Sequence, residues 1–179
     1  MRKKDDYVIV LDYLPYGYPL EGKMMPVVQA VGEQFFALLQ LAPVRGATFT
    51  PHERVYIGPE KRDKIYYIVG RLPKDKITEQ AKIRLQEFIA KVVEERETEF
   101  VTFFNNAMAL NTRLHQLELL PGFGKKHTKE LLEAREEKKF DSFEDIRKRV
   151  SNIPDPKKAI EKRLIEEITE QQRHTLFVN

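Results

Sequence analysis

The spacing of apolar positions changes near residue 75. Before it, the runs Tyr7–Leu14, Val27–Val31, Gln34–Leu41, Arg54–Ile57 and Lys64–Arg71 are short, rich in β-branched and aromatic residues, and bounded by Pro and Gly. That is the pattern of strands between turns. Of the 10 prolines, 7 precede residue 76, as do 6 of the 8 glycines, so turns crowd into this part of the chain. Five strands in so short a stretch predict a small barrel or a strongly bent sheet, which buries one face and limits open edges.

Beyond residue 75 the period becomes helical. Ala81, Leu85, Phe88, Ile89, Val92 and Val93 fall on one stripe at helical spacing, with Thr78 as the predicted N-cap. The stripe resumes at Phe100, Phe103, Phe104, Ala107 and Met108, which fits one bent helix or two short ones. Helices are also predicted over Thr112–Leu120, from Gly124 and Lys125 to Lys138, and from Ser142–Asp145 to Val150. Asp155 followed by Pro156 marks another start: an N-cap carboxylate, then a proline where its missing N–H costs nothing. Ile160, Leu164, Ile165 and Ile168 give that helix its apolar face. The expected fold class is α+β, with a β-barrel-like domain over residues 1–75 and an all-α domain over 76–179.

Hydrophobic residues make up 41% of the 179, enough to exclude a wholly disordered chain. Lys and Arg number 31 against 28 Asp and Glu, a net charge of +3 that by itself identifies no nucleic-acid partner. The absence of cysteine excludes disulfides, iron–sulfur clusters and thiolate zinc sites, and the 4 histidines are scattered. No metal and no cofactor are therefore expected. No apolar stretch is long enough to span a bilayer. The opening MRKKDDYVIVLD does not read as a signal peptide, because Asp5 and Asp6 follow the basic residues and the apolar run ends at Asp12. A cytoplasmic protein with no membrane partner is expected.

The segment with most chemical content is LELLPGFGKKHTKELL, residues 117–132. Gly122 and Gly124 flank Phe123 between two predicted helices, and both glycines are expected to adopt backbone angles closed to other residues. Phe123 is expected to point into the helix pair and pin the turn. Amides around Gly122, Gly124 and Lys125 then stand at the start of a helix, where orphan donors and the helix dipole favour an anion. Lys125 and Lys126 add positive charge, and a phosphodiester oxygen is the natural ligand. The segment resembles the helix–hairpin–helix motif, a binder of nucleic-acid backbones without sequence preference. One departure is Thr128, where the motif has a small alanine; its hydroxyl is expected to bond a backbone carbonyl. The motif spans residues 112–138. The alternative is a glycine-capped turn between helices with no ligand.

A second, degenerate hairpin is expected over residues 143–170. In NIPDPKKAIEKRLIEEI, Ile153-Pro154 echoes Leu120-Pro121, and Lys157-Lys158 echoes Lys125-Lys126. It has no glycine, and Pro154 and Pro156 have no N–H to offer. Lys157 and Lys158 are weaker phosphate candidates. In the β part, Tyr16, Tyr18, Tyr66 and Tyr67 are candidates for base stacking, although tyrosines alternating along a strand are more often half core and half surface. Lys61, Arg62, Lys64 and Arg71 are candidate phosphate contacts, with Lys61 and Arg62 in a charged hairpin tip.

The whole chain resembles an uncharacterised archaeal family of predicted RNA-binding proteins, the domain-of-unknown-function family numbered 655. The residues that carry the resemblance are YVIVLDYLPYGYP, HERVYIG, TRLHQLELLPGFGKK and FDSFEDIRKRVSNIPDPKKAI. It implies an oligonucleotide-binding-like (OB-like) β domain followed by a helix–hairpin–helix domain, and no known reaction. The function expected is non-catalytic binding of nucleic acid through its phosphates, with RNA favoured over DNA. A protein–protein adaptor using the Phe-rich stripe at residues 99–108 is the second reading. A DNA-repair enzyme is the third: Asp141 stands at the spacing of a glycosylase aspartate but lacks the surrounding motif. No catalytic residue is assigned, because the chain has no paired-carboxylate nuclease motif, P-loop or nucleotide-binding glycine fingerprint.

Overall fold

A computed structural model describes residues 2–22 and 24–178. The fold is α+β. The chain forms two compact units, Met1–Phe88 with Glu167–Asn179, and Ile89–Glu166.

The first unit is built on five strands: β1 (Tyr7–Leu14), β2 (Val27–Gly32), β3 (Leu38–Pro43), β4 (Arg54–Tyr56) and β5 (Ile65–Arg71). They form one curled, half-barrel antiparallel sheet in the order β4-β1-β2-β3-β5. Among the described residues no ladder joins β4 to β5, so both are edges. Val8, Val10, Val28, Ala30, Leu41, Val55, Ile57 and Ile65 form one buried apolar cluster of this unit. Bulges provide the bend. In β1, Val10 pairs with Ala30 and Asp12 with Gln29, which leaves Leu11 as the extra residue. The Leu11 carbonyl accepts from Arg84 at 2.7 Å, and the Asp12 carboxylate accepts the Thr78 hydroxyl at 2.5 Å.

Thr78 is the expected N-cap: its hydroxyl accepts the Ala81 N–H at 3.1 Å and opens α1 (Glu79–Glu95). The beginning of β3 differs from expectation. It starts at Leu38 rather than Gln34, because the Asp5 carboxylate takes the Gln34 and Phe35 amides at 2.7 and 3.0 Å and Phe36 turns at φ 63°. Amides spent on a carboxylate cannot join a ladder. At the far end of the chain, the buried Glu167 carboxylate accepts the amides of Leu176, Phe177 and Val178 at 2.9, 2.9 and 3.1 Å.

The second unit holds α2 (Glu97–Asn106), α3 (Lys125–Glu137), α4 (Phe143–Arg149) and most of α5 (Pro156–Thr169). α1 and α2 are separate helices, broken at Arg96, the second of the two arrangements the stripe allowed. Phe100, Phe104, Leu117, Phe123, Leu131, Ile146 and Ile160 are buried core residues. Each contributes about 1.5–3 kcal/mol by burial. The stripe proposed as an adaptor surface is largely internal, since Phe100 and Phe104 are buried.

The helix expected over Thr112–Leu120 is absent. Asn111 Oδ1 accepts the Arg113 and Leu114 amides at 2.8 and 2.9 Å, and Ala109 bridges to His115. This side-chain competition for amides turns the chain before a helix can nucleate. Only a 3-10 turn, Gln116–Leu119, remains. No helix among the described residues is long and apolar enough to cross a membrane.

Candidate nucleic-acid interface

Leu120 closes the 3-10 turn, Pro121 follows, and Gly122 reverses the chain at φ 84°. A Cβ at Gly122 would stand 3.1 Å from Pro154 Cγ, so the glycine also permits a close approach to the loop before α5. Phe123 is buried, with its ring 6.3 Å from Phe104 and 5.8 Å from His127. It pins the turn from inside, as expected. Gly124 departs from expectation: at φ −110° and ψ −169° it is ordinary extended backbone, with open space where a Cβ would be. The conformational requirement belongs to Gly122 alone of the pair.

Gly124 instead serves as the N-cap of α3 and brings no side-chain oxygen. Its own N–H donates to His127 Nδ1 at 3.0 Å, a contact with no warning in the hairpin pattern. Thr128 is buried, and its hydroxyl donates to the Gly124 carbonyl at 3.0 Å, the bond foreseen for the departure from alanine. The amides of Lys125, Lys126 and His127 are the intrinsic donors at this helix start. Lys126 is exposed. Lys125 bends back: its ammonium donates to the Arg113 carbonyl at 2.6 Å and to Glu118 Oε1 at 3.2 Å while its side chain stays 74% exposed.

The starts of α1, α4 and α5 are occupied, whereas α2 begins after Arg96 with no side-chain cap but with Glu97 and Glu99 in its first turn. Thr78 caps α1, the Ser142 hydroxyl accepts the Asp145 amide at 2.9 Å on α4, and Asp155 Oδ1 accepts the Lys157 and Lys158 amides at 3.0 and 3.3 Å on α5. Lys157 and Lys158 therefore stand on a start already closed by a carboxylate. Lys61 and Arg62 belong to the first unit, in the connection from β4 to β5. Arg62 Nε donates to the Gly58 carbonyl at 2.9 Å, and Lys61 is exposed. Asp141 is exposed; its amide donates to Asp145 Oδ2 at 2.9 Å.

His115 holds the approach to the turn. Its Nδ1 accepts the Leu117 amide at 3.1 Å while its own amide donates to Glu118 Oε2 at 2.8 Å. Burial, then the Arg135 guanidinium, hold its pKa below the ordinary value, against a smaller opposing pull from Glu118. For Glu118, burial opposes ionisation, but the His115 amide and Lys125 outweigh it and its carboxyl lies below the usual range. A depressed histidine contributes stability that is present above its unfolded value of about 6.5 and lost as pH falls through its lower folded value. Between pH 7 and 5 the urea midpoint should therefore fall more in the parent protein than in His115→Asn, which keeps a cap acceptor but does not titrate. Identical pH dependence in the two proteins would remove this role from His115.

The family model described as "Protein of unknown function (DUF655)" matches residues 4–179. The chain belongs to the DUF655 family. An uncharacterized protein of Methanocaldococcus jannaschii is 38% identical over 177 residues, covering 99% of this chain and 80% of that one. The crystal structure of the DUF655 protein Af1531 from Archaeoglobus fulgidus superposes with a TM-score of 0.84 at 40% identity, covering 98% of this chain and 100% of that one. DUF655 thus has relatives in two archaea that match this chain nearly end to end.

Proposed function

We propose that this DUF655 protein is a non-catalytic nucleic-acid-binding protein, with RNA favoured over DNA, that grips the phosphate backbone at the start of α3. The observation that carries the reading is electrostatic. Helix N-termini favour carboxylates, yet the first turn of α3 has no acidic residue, its N-cap Gly124 brings no side-chain acceptor, and it begins with Lys125 and Lys126; the Gly124 N–H itself donates to His127 Nδ1. Cations at the positive end of a helix are unfavourable; Glu118 offsets Lys125 in part, and an external anion would offset the rest. A phosphate oxygen would meet the amides of this start and the Lys126 ammonium, and Lys125 would join them by leaving the Arg113 carbonyl and Glu118. In this reading the segment from Gln116 to Glu137 works as a helix–hairpin–helix whose first limb has shrunk to a 3-10 turn, and the curled sheet plays an OB-like part.

Binding should weaken linearly in log–log form as salt rises, by about 0.7–0.9 per phosphate contacted. Three to five contacts give a slope of roughly −2 to −4. The Lys125→Ala, Lys126→Ala double variant should keep its stability within about 0.5 kcal/mol, since both side chains face solvent. It should weaken binding equally across sequences and flatten the slope by up to about 2. Lys157→Ala with Lys158→Ala should change the slope less, because Asp155 already occupies that helix start. Anisotropy titrations of a labelled hairpin RNA at several salt concentrations measure all three proteins. A flat salt response in the parent, or equal losses in the two double variants, would defeat the assignment.

A further inference from the structure

β5 carries two bulges in seven residues. Gln40 pairs with Gly70 and Leu41 with Ile68, which leaves Val69 as an extra residue; Ala42 pairs with Tyr67 and Pro43 with Ile65, which leaves Tyr66 as another. Bulges re-aim the side chains around them. Ile65 lies in the core, but Tyr66, Tyr67, Ile68 and Val69 are 74, 43, 37 and 50% exposed. A regular strand with one buried face would have hidden alternate members of that run. β5 is also an edge of the sheet, and sheets blunt a long apolar edge unless something covers it.

Charge selects the occupant. No acidic residue lies between Lys64 and Arg71. Lys61 and Arg71, one beyond each end of the apolar run, are exposed; Glu60 and Asp63, also exposed, flank Lys61, so the positive excess is clearest at Arg71. Lys64 is tethered to Glu53 at 2.7 Å, so the exposed lysine on that side is Lys61. A second copy pairing antiparallel with β5 about a two-fold axis between Tyr67 and Ile68 would set Arg71 against Lys64, already paired with Glu53, so Arg71 would meet no complementary charge. A polyanion carrying flat apolar groups suits both the apolar run and its cationic ends. The Tyr66 and Tyr67 rings are 5.4 Å apart at 75°, so their faces point in different directions and each offers a separate stacking surface. Two phenol hydroxyls provide donors and acceptors for ribose 2′-hydroxyls, which DNA lacks.

We propose that the β5 edge binds a single-stranded RNA segment, with bases stacked on Tyr66 and Tyr67 and flanking phosphates held at Lys61 and Arg71. This surface belongs to the first unit and does not rest on the reading given for the α3 start. The test uses the full chain with a labelled mixed-sequence 12-nucleotide single-stranded RNA, the DNA of the same sequence, and a blunt RNA duplex of equal length. The Tyr66→Ala, Tyr67→Ala variant should lose about 30-fold or more in single-strand affinity, because each base–aromatic stack it removes is worth about 5-fold or more. Its duplex affinity should match the parent's. Tyr66→Phe with Tyr67→Phe should keep DNA binding and lose the preference for RNA. The Lys125→Ala, Lys126→Ala variant, measured alongside, reads the α3 start separately. In the unaltered protein, photocrosslinking to 4-thiouridine RNA should place adducts at Tyr66 or Tyr67 by mass spectrometry, whatever the variants do. Unchanged single-strand affinity in the alanine pair, with adducts elsewhere, overturns the proposal. So does a concentration-dependent dimer that the alanine pair abolishes, which would make β5 a self-association edge. Equal affinity for RNA and DNA overturns the choice of RNA.

Discussion

A Gly124→Asp variant will be at least as stable as its parent and will bind nucleic acid tenfold or more weakly. The backbone of Gly124 is extended and its Cβ position is open, so the new side chain enters without strain. An aspartate N-cap accepts from the first amides of α3 and places negative charge at the positive end of the helix. Together these changes are worth from nothing to about 1 kcal/mol relative to glycine. The same carboxylate takes up the donors and lysines that phosphate would use. Gly122→Ala is the opposite case. Its residue sits at φ 84° and its Cβ would crowd Pro154 Cγ. The left-handed backbone alone costs roughly 1–2 kcal/mol for a residue with a Cβ. Thermal denaturation should show a drop of about 2–8 °C for Gly122→Ala and none for Gly124→Asp. Parent-like RNA affinity in Gly124→Asp would show that the α3 start is a structural turn.

Arg149→Ala should cost about 2–4 kcal/mol, the largest loss expected from a single side chain outside the apolar core. Nη2 donates to the carbonyls of Ala134 and Lys138 at 2.5 and 2.7 Å, and Nη1 donates to that of Lys139 at 3.3 Å. The guanidinium also bonds Asp145 Oδ2 at 3.3 Å and lies 4.7 Å over the Phe140 ring. It thus collects carbonyls where α3 ends, joining the Lys138 N–H at the Ala134 carbonyl and adding a donor to those of Lys138 and Lys139. Removing it should raise hydrogen exchange along α3 and lower the urea midpoint. Arg149→Lys should recover less than half of the loss, because an ammonium cannot reproduce the planar fork. A change below about 0.5 kcal/mol in Arg149→Ala would reduce this to a surface contact.

Local chemistry made some elements plain in the sequence. β1 occupies Tyr7–Leu14 as its apolar run suggests, and the Thr78, Ser142 and Asp155 caps are where side-chain oxygens precede periodic stretches. What escaped depends on distant partners. Asp5 shortens β3 from about thirty residues away, and no local propensity registers that. Asn111 consumes the amides a helix at Thr112 would need, a competition that hydrophobic period ignores. Of two glycines separated by one residue, Gly122 turns left-handed beside Pro154 and Gly124 stays extended, a difference the hairpin pattern does not carry. The bulges that expose Tyr66 through Val69 arise from register against β3, so alternation along β5 alone suggested half core and half surface. Arg149 and His127 act through bonds to main-chain groups, which residue spacing does not encode.

The first unit is written in two pieces, Met1–Phe88 and Glu167–Asn179, with the whole of the second unit between them. On a ribosome that order becomes a schedule. Residues 89–166 are synthesised before the Glu167 carboxylate and the three amides it collects exist. The first unit therefore cannot be completed until the whole of the second has been synthesised, so it does not finish first merely by starting first. No single cut in the chain separates the two units. A clean excision must join residue 88 to residue 167, and a truncation just before Glu167 keeps every residue of the second unit but leaves the first one open.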